Sequence, residues 1–123
     1  MDGVGSGLRL HEHHGAIAAA RWLEHRVPAV ILYNDLMAMG FLQALRRHGV
    51  RVPEEVSVVG FDNIPGLEFI TPSLTSVAAP MQALGATAVN NLLAMTRGAS
   101  PTANRPMVLP TRLVVRESTG QGR

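Results

Sequence analysis

One stretch constrains the fold of this chain more than any other: the run from Val56 to Asn63 (VSVVGFDN). Three valines within four positions lead to Gly60, and an aromatic, an acid and an amide follow. A strand this apolar is typical of one that is buried on both faces in a parallel sheet. Ligands of open α/β sheets bind in the crevice at the carboxyl ends of the strands. We therefore expect Asp62, at the end of this strand, to face such a crevice and hold a small polar ligand.

Asp62 also has a purely structural interpretation, in which its side chain bonds the backbone two positions further along a turn. Gly60 favours the ligand, because glycine inside a strand often marks the close approach of another backbone or of a ligand. The residues themselves leave both interpretations open.

A second strand-to-helix junction carries polar side chains. The apolar run Ala29 to Tyr33 predicts a strand, and Asn34 and Asp35 follow it directly. Both residue types are preferred helix N-caps, but only one residue can be the cap. If this strand lies beside the strand that precedes Asp62, Asn34 and Asp62 reach the same sheet edge. An amide and a carboxylate placed together can grip the hydroxyls or amines of a ligand.

Histidines cluster near the start of the chain, at His11, His13 and His14, around Glu12. Leu8 to His11 is expected to form a short strand. A metal site needs a further ligand in fixed geometry, and no residue elsewhere supplies it by spacing, so we predict no metal. His11 touching the ligand from a loop at the crevice mouth is one interpretation, and ordinary exposed histidines are the other.

Strands of about five residues alternate with predicted helices over Gly15–Arg26, Leu36–His48 and residues 81–97. This βαβ pattern predicts an α/β fold, with a parallel sheet and helices on both of its faces. Residues 1–7 contain three glycines and are expected to be a flexible leader. Residues 120–123 are expected to be a frayed tail.

Composition excludes several classes of protein. The 123 residues are 46% hydrophobic and 16% charged, which is typical of one globular domain. No apolar run is long enough to span a membrane, and no signal peptide is visible. The absence of cysteine excludes disulfides and thiolate chemistry. Known nucleophile, zinc-protease, phosphate-loop and dinucleotide motifs are missing, so we predict neither an enzyme nor a cofactor.

The eleven arginines, with no lysine, are scattered along the chain. Arg46, Arg47 and Arg51 form the one tight group, at the end of a predicted helix where cations complement the helix dipole. Contact with nucleic acid is the alternative interpretation of that group.

The predicted helix over residues 36–48 carries more apolar surface than one core face needs. Its second stripe contains Met37, Gly40 and Phe41, which suit a close helix–helix contact. Burial among elements of the same chain would explain this stripe, and so would a partner subunit, which we favour.

Several ordered motifs together resemble the lactose-repressor (LacI/GalR) family of bacterial transcription regulators. The resemblance covers nearly everything from Gly15 to Thr119. Its motifs are Pro28 to Val30, Asn34 to Gly40 (NDLMAMG), Leu45 with Gly49, Val52 to Pro65 (VPEEVSVVGFDNIP), Thr71 to Val77 (TPSLTSV) and Leu113 to Thr119 (LVVREST).

This resemblance implies the C-terminal part of an effector-binding domain with a type I periplasmic-binding-protein-like fold. Asn34 and Asp62 would be effector contacts, and the effector would be a sugar or a related polar metabolite. Residues 8–119 would form this part, and helix 81–97 would dock on an N-terminal lobe that the chain lacks. A homodimer is implied, with an interface that includes Met37, Gly40, Phe41, Leu67 and Ile70.

The resemblance further implies a cytoplasmic protein that reaches DNA only through a headpiece, which this sequence does not contain. A sugar-binding protein of an uptake transporter shares the fold and is the main alternative. An enzyme built on a flavodoxin-like sheet is a third. The stretch Val52 to Ser57 and the motif TPSLT resemble the regulators more than the transport proteins.

Overall fold

The structure is a computed structural model that describes residues 3–98 and 108–122, with side chains from residue 9 onward. Its two compact units comprise residues up to 78 together with those from 113, and residues 79–112. In chain order the elements are α1 (Gly3–His25), β1 (Ala29–Ile31), α2 (Asp35–Arg47), β2 (Ser57–Phe61), β3 (Thr75–Ala78), α3 (Met81–Thr96) and β4 (Arg112–Val114).

The strands form one sheet in the order β1-β2-β3-β4. Strand β2 pairs in parallel with β1 on one side and with β3 on the other. Ile31 lies opposite Val59, and Val59 lies opposite Thr75. The predicted α/β class with parallel strands is therefore confirmed, and so is the neighbouring position of the two strands that precede Asn34 and Asp62.

Helix α2 packs on one face of this sheet. Val58 and Gly60 point to that face and are buried, and Phe41 and Leu45 of α2 are fully buried in the same core. Side chains alternate between the two faces of a strand. The opposite face carries Ile31, which is 74% exposed, and Phe61, which is 37% exposed.

The start of the chain differs from its prediction. Helix α1 is continuous from Gly3 to His25, so the expected strand over Leu8–His11 is wrong, and the expected flexibility of residues 1–7 stays a prediction. The later turns of α1 pack on α2. Gly15 allows this packing, since a Cβ there would lie 2.5 Å from the Met37 carbonyl oxygen.

The segment after β4 closes a gap in the sheet. Ser118 is fully buried, and its carbonyl accepts from the Val58 amide at 2.8 Å. Its hydroxyl donates to the Val58 carbonyl at 2.6 Å and accepts from the Thr75 amide at 2.8 Å. One serine thus joins Val58 of β2 to Thr75, the first residue of β3.

The second unit contains α3. Gly98 follows it with a positive φ of 82°, as the predicted helix end requires. None of the sixteen residues of α3 is buried against the part of the chain that the structure describes. Its large exposed apolar side chains, which include Leu84 and Leu92, are 46% to 61% exposed. Among the described helices none is long and apolar enough to cross a membrane.

Candidate ligand-binding edge

Asp62 lies directly after β2, at the carboxyl end of the sheet. Its backbone is in the left-handed region, with φ at 104°, and Asn63 follows with φ at 54°. The Ile64 amide, which a turn aspartate at position 62 would bond, donates instead to Asp35 Oδ2 at 2.9 Å. The structural interpretation of Asp62 as a self-bonding turn residue is therefore not realised. Its side chain is exposed at the sheet edge.

Asn34 reaches the same edge from β1. Strands β1 and β2 run parallel, and Asn34 follows the end of β1 as Asp62 follows the end of β2, so both residues lie at the carboxyl end of the sheet. Asn34 is the N-cap of α2, because its Oδ1 accepts from the Met37 amide at 2.9 Å. Its Nδ2 is not used by the cap and remains a donor for other partners.

His11 is the third predicted ligand residue, and it lies on α1 rather than on a strand or loop. It is half-buried, and its Nδ1 lies 3.5 Å from Asn34 Nδ2, the outer limit of a hydrogen bond. The helix brings His11 beside the strand ends, a proximity that no sequence spacing indicated. Among the described residues, no three His, Cys, Asp or Glu side chains are placed so that they could hold a metal ion together.

Sequence reasoning missed the role of Asp35. It is fully buried, and its carboxylate accepts hydrogen bonds from the Ile64 amide and the Ser76 hydroxyl. A Cβ on Gly60 would overlap Asp35 Oδ1, so the glycine in β2 makes room for this carboxylate and not for a ligand. The only sequence signal was the pair of candidate caps: with Asn34 as the cap, Asp35 was left without an assigned partner.

The predicted interface residues separate into two groups. Phe41 and Leu67 are fully buried in the core of this chain, and Gly40 lies under α1, where a Cβ would be 2.8 Å from the Glu12 Cα. The helix–helix contact predicted for the second stripe of α2 is made by α1 of the same chain. Phe41 and Leu67 therefore offer no surface to a partner in this fold. Met37 and Ile70 are half-buried.

A groove with a volume of about 440 Å³ lies beside Gly40 and Ile70. We call it the α2 groove. Phe69 at its rim is 85% exposed. The residues that line it are Glu12, Leu36, Met39, Gly40, Leu42, Gln43, Arg46, Phe69, Ile70 and Thr71.

The side chains at this edge have the donors and acceptors needed to form hydrogen bonds with a polar molecule. A carboxylate accepts from hydroxyl or amine donors, while the Asn34 amide nitrogen donates and the His11 ring can do either. Pairs of this kind discriminate between polar ligands, because a ligand that lacks the matching group leaves a polar atom unpaired.

Known proteins match this chain over most of its length. The profile of the periplasmic binding protein-like domain family matches residues 2–119. The transcriptional regulator MalR of Streptomyces coelicolor is 41% identical over 105 residues, which are 85% of this chain and 30% of MalR. The chain thus spans less than a third of that relative.

Two solved structures share the fold. A LacI family transcriptional regulator from Arthrobacter sp. FB24, in complex with lactose, has a TM-score of 0.78 and 39% identity, over 89% of this chain and 41% of that one. The lac repressor dimer bound to operator and the anti-inducer ONPF has a TM-score of 0.76 and 32% identity, over 85% of this chain and 37% of that one.

Proposed function

This chain belongs to the periplasmic binding protein-like domain family and resembles LacI-type transcriptional regulators, and from that premise we propose that it is the C-terminal part of a regulator's effector-binding domain. Its effector is a small polar molecule such as a sugar. The regulator acts on DNA in the cytoplasm through a headpiece outside this segment. Relatives that are regulators favour this function over uptake transport.

The observation that carries the proposal is the orientation of Asp62. Its exposed carboxylate ends β2 at the sheet edge, and the amide that would have bonded it in a turn is already bonded to Asp35. The solved relative with lactose makes a sugar the reasonable ligand class. Asp62 accepts from ligand hydroxyls, and Asn34 Nδ2 donates to a ligand oxygen.

Regulation follows from a second lobe on the other side of the ligand. An effector that bonds both lobes favours the arrangement in which they are closed, and it shifts the population by its difference in affinity for the two arrangements. Asp62 bonds the ligand only when the lobes are arranged so that the ligand lies against this edge. It therefore contributes to the difference in affinity between the two arrangements.

The α2 groove is the surface we assign to a second copy of the chain. Phe69 and Ile70 line it as apolar groups, and the lac repressor to which the chain is similar is described as a dimer. A two-fold axis through the groove would pair the same residues from both subunits.

The ligand assignment is tested by replacing Asp62 with alanine in the regulator that carries this segment. A panel of disaccharides that includes lactose is titrated by calorimetry. Losing hydrogen bonds to a charged acceptor removes about 1.5–3 kcal/mol each, so the bound sugar should lose roughly 10- to 100-fold in affinity. Glu68→Ala, which changes an exposed carboxylate six residues after Asp62, is the control. If the sugar affinity of the Asp62→Ala protein is within twofold of the wild-type affinity, the assignment of Asp62 as a ligand contact is contradicted.

A further inference from the structure

We propose that Asp35 is a positioning residue, which holds the bend at Asp62 and Asn63 so that the Asp62 carboxylate faces the ligand. This inference rests on the proposed function of Asp62 and deepens it. Asp35 itself is fully buried and cannot touch a ligand at the edge.

Both oxygens of Asp35 accept hydrogen bonds from the strand ends. Oδ1 accepts from the Ser76 hydroxyl at 2.6 Å, and Oδ2 accepts from the Ile64 amide at 2.9 Å. The Ser76 oxygen in turn accepts from the Asn63 amide at 3.0 Å. One buried carboxylate therefore orients the two amides that follow Asp62, one directly and one through a buried hydroxyl.

Two further bonds complete the bend. Arg116 donates from Nη2 to Asn63 Oδ1 at 2.9 Å and from Nη1 to the Leu74 carbonyl at 2.7 Å. The Asp62 amide donates to the Val77 carbonyl at 3.0 Å. The backbone amides of residues 62 to 64 are thus all bonded to partners away from the Asp62 side chain.

This arrangement explains two consecutive non-glycine residues with positive φ. Such conformations persist only where the surroundings determine them. Asp62 would otherwise bond the Ile64 amide, which is the usual turn of an aspartate with the residue two positions on. Asp35 takes that amide, so the Asp62 carboxylate stays free for a ligand. Gly60 is part of the device, because any larger residue there would displace Asp35.

The test compares variants of the network with matched variants outside it. Asp35→Asn keeps the shape but leaves a single acceptor oxygen for two donors, the Ser76 hydroxyl and the Ile64 amide, and Ser76→Ala removes the bridging hydroxyl. Leu45→Ala controls for loss of stability in α2. Ser118→Ala controls for Ser76→Ala, since Ser118 is also a fully buried serine whose hydroxyl makes two hydrogen bonds.

The readout is the set of ¹³Cα and ¹³Cβ chemical shifts of Asp62 and Asn63, which report φ and need no ligand. Both network variants should move these shifts away from left-handed values, and neither control should. In the regulator, Asp35→Asn should also lower the affinity for the sugar by at least about 10-fold. Should Asp35→Asn fail to fold, Ser76→Ala alone decides the outcome.

The inference is overturned if the shifts of Asp62 and Asn63 in the network variants equal those in the two controls. The proposed function fails by a different route, in which Asp62→Ala binds sugar normally. The two experiments therefore distinguish a protein in which Asp35 holds the bend but Asp62 binds no ligand: its network variants shift the Asp62 and Asn63 signals, while Asp62→Ala keeps its sugar affinity.

Discussion

At the scale of single residues, the buried polar groups of this chain join segments that are distant in sequence. Asp35, Thr75, Ser76 and Ser118 are all at most 1% exposed. Among the described residues, no buried side-chain polar atom lacks a hydrogen-bond partner. A buried polar atom without a partner destabilises a fold by about 1–3 kcal/mol. The hydrogen bonds of these four side chains therefore favour the native packing of strand ends against loops over alternative packings.

Glu117 gives a prediction at the same scale. The Ser73 amide donates to its carboxylate at 3.1 Å and the Ser73 hydroxyl at 3.0 Å, and these bonds lower the pKa of Glu117 from its ordinary value of 4.5. A lowered pKa adds stability above the unfolded value, and that stability is lost as the pH falls through the folded value. Glu117→Gln should therefore flatten the fall in unfolding free energy between about pH 5 and pH 3.

Chemical denaturation across that pH range measures the effect. Ser73→Ala removes the hydroxyl donor and keeps the amide, so its pH dependence should lie between those of the wild type and Glu117→Gln. Equal slopes for the wild type and Glu117→Gln would show that the Ser73 bonds do not act on stability.

At the scale of elements, the crossing of α1 and α2 depends on two small residues. Gly15 faces the α2 backbone, and Gly40 faces the α1 backbone at Glu12. Each helix thus fits a small residue against the main chain of the other. Met37 and Phe41 flank the crossing, so the apolar stripe of α2 is covered within the chain.

Gly15→Ala tests this crossing. Its Cβ would lie 2.5 Å from both the Met37 carbonyl oxygen and the Phe41 amide nitrogen, and these backbone atoms must move apart. Overpacking of this kind lowers the free energy of unfolding by about 1–3 kcal/mol, although alanine is the better helix former. Ala16→Leu, at an exposed position of the same helix, should change stability little. Thermal melts compare the two, and a Gly15→Ala protein as stable as the wild type would rule out the close crossing.

The strands and α2 could be predicted because their signals are local. Apolar runs ended at Asn34 and Asp62, and Gly49 follows α2 with the positive φ of 69° that its place after the helix suggested. The start of α1 could not be predicted, since Gly3, Gly5 and Gly7 have weak helix propensity and no apolar periodicity marks that segment. The role of Asp35 was equally hidden, because its partners Ile64 and Ser76 lie 29 and 41 residues away.

At the scale of the whole molecule, apolar surface remains on both units. The open sheet face exposes Ile31 and Phe61, α3 exposes its leucines, and Phe69 stands at the rim of the α2 groove. Large exposed apolar patches mark interaction sites. The proposed dimer needs only the groove among these surfaces.

Phe69→Glu tests the dimer. Phe69 is 85% exposed, so the charge should leave the fold intact while it opposes burial against a second copy. Sedimentation should then give a monomer at concentrations where the wild-type protein is a dimer. Val108→Glu changes an equally exposed apolar residue outside the groove and should leave the dimer in place. A Phe69→Glu protein that stays dimeric would move the interface elsewhere.

The position of Ser118 has a consequence for synthesis on the ribosome. Strands β2 and β3 are complete by residue 78, but the amides of Val58 and Thr75 receive their partners only from Ser118, 60 and 43 residues later. Pairings this distant along the chain form slowly. Until residue 118 has left the exit tunnel, Ser118 cannot bond these amides, so β2 and β3 gain these two hydrogen bonds only after both strands have been synthesised.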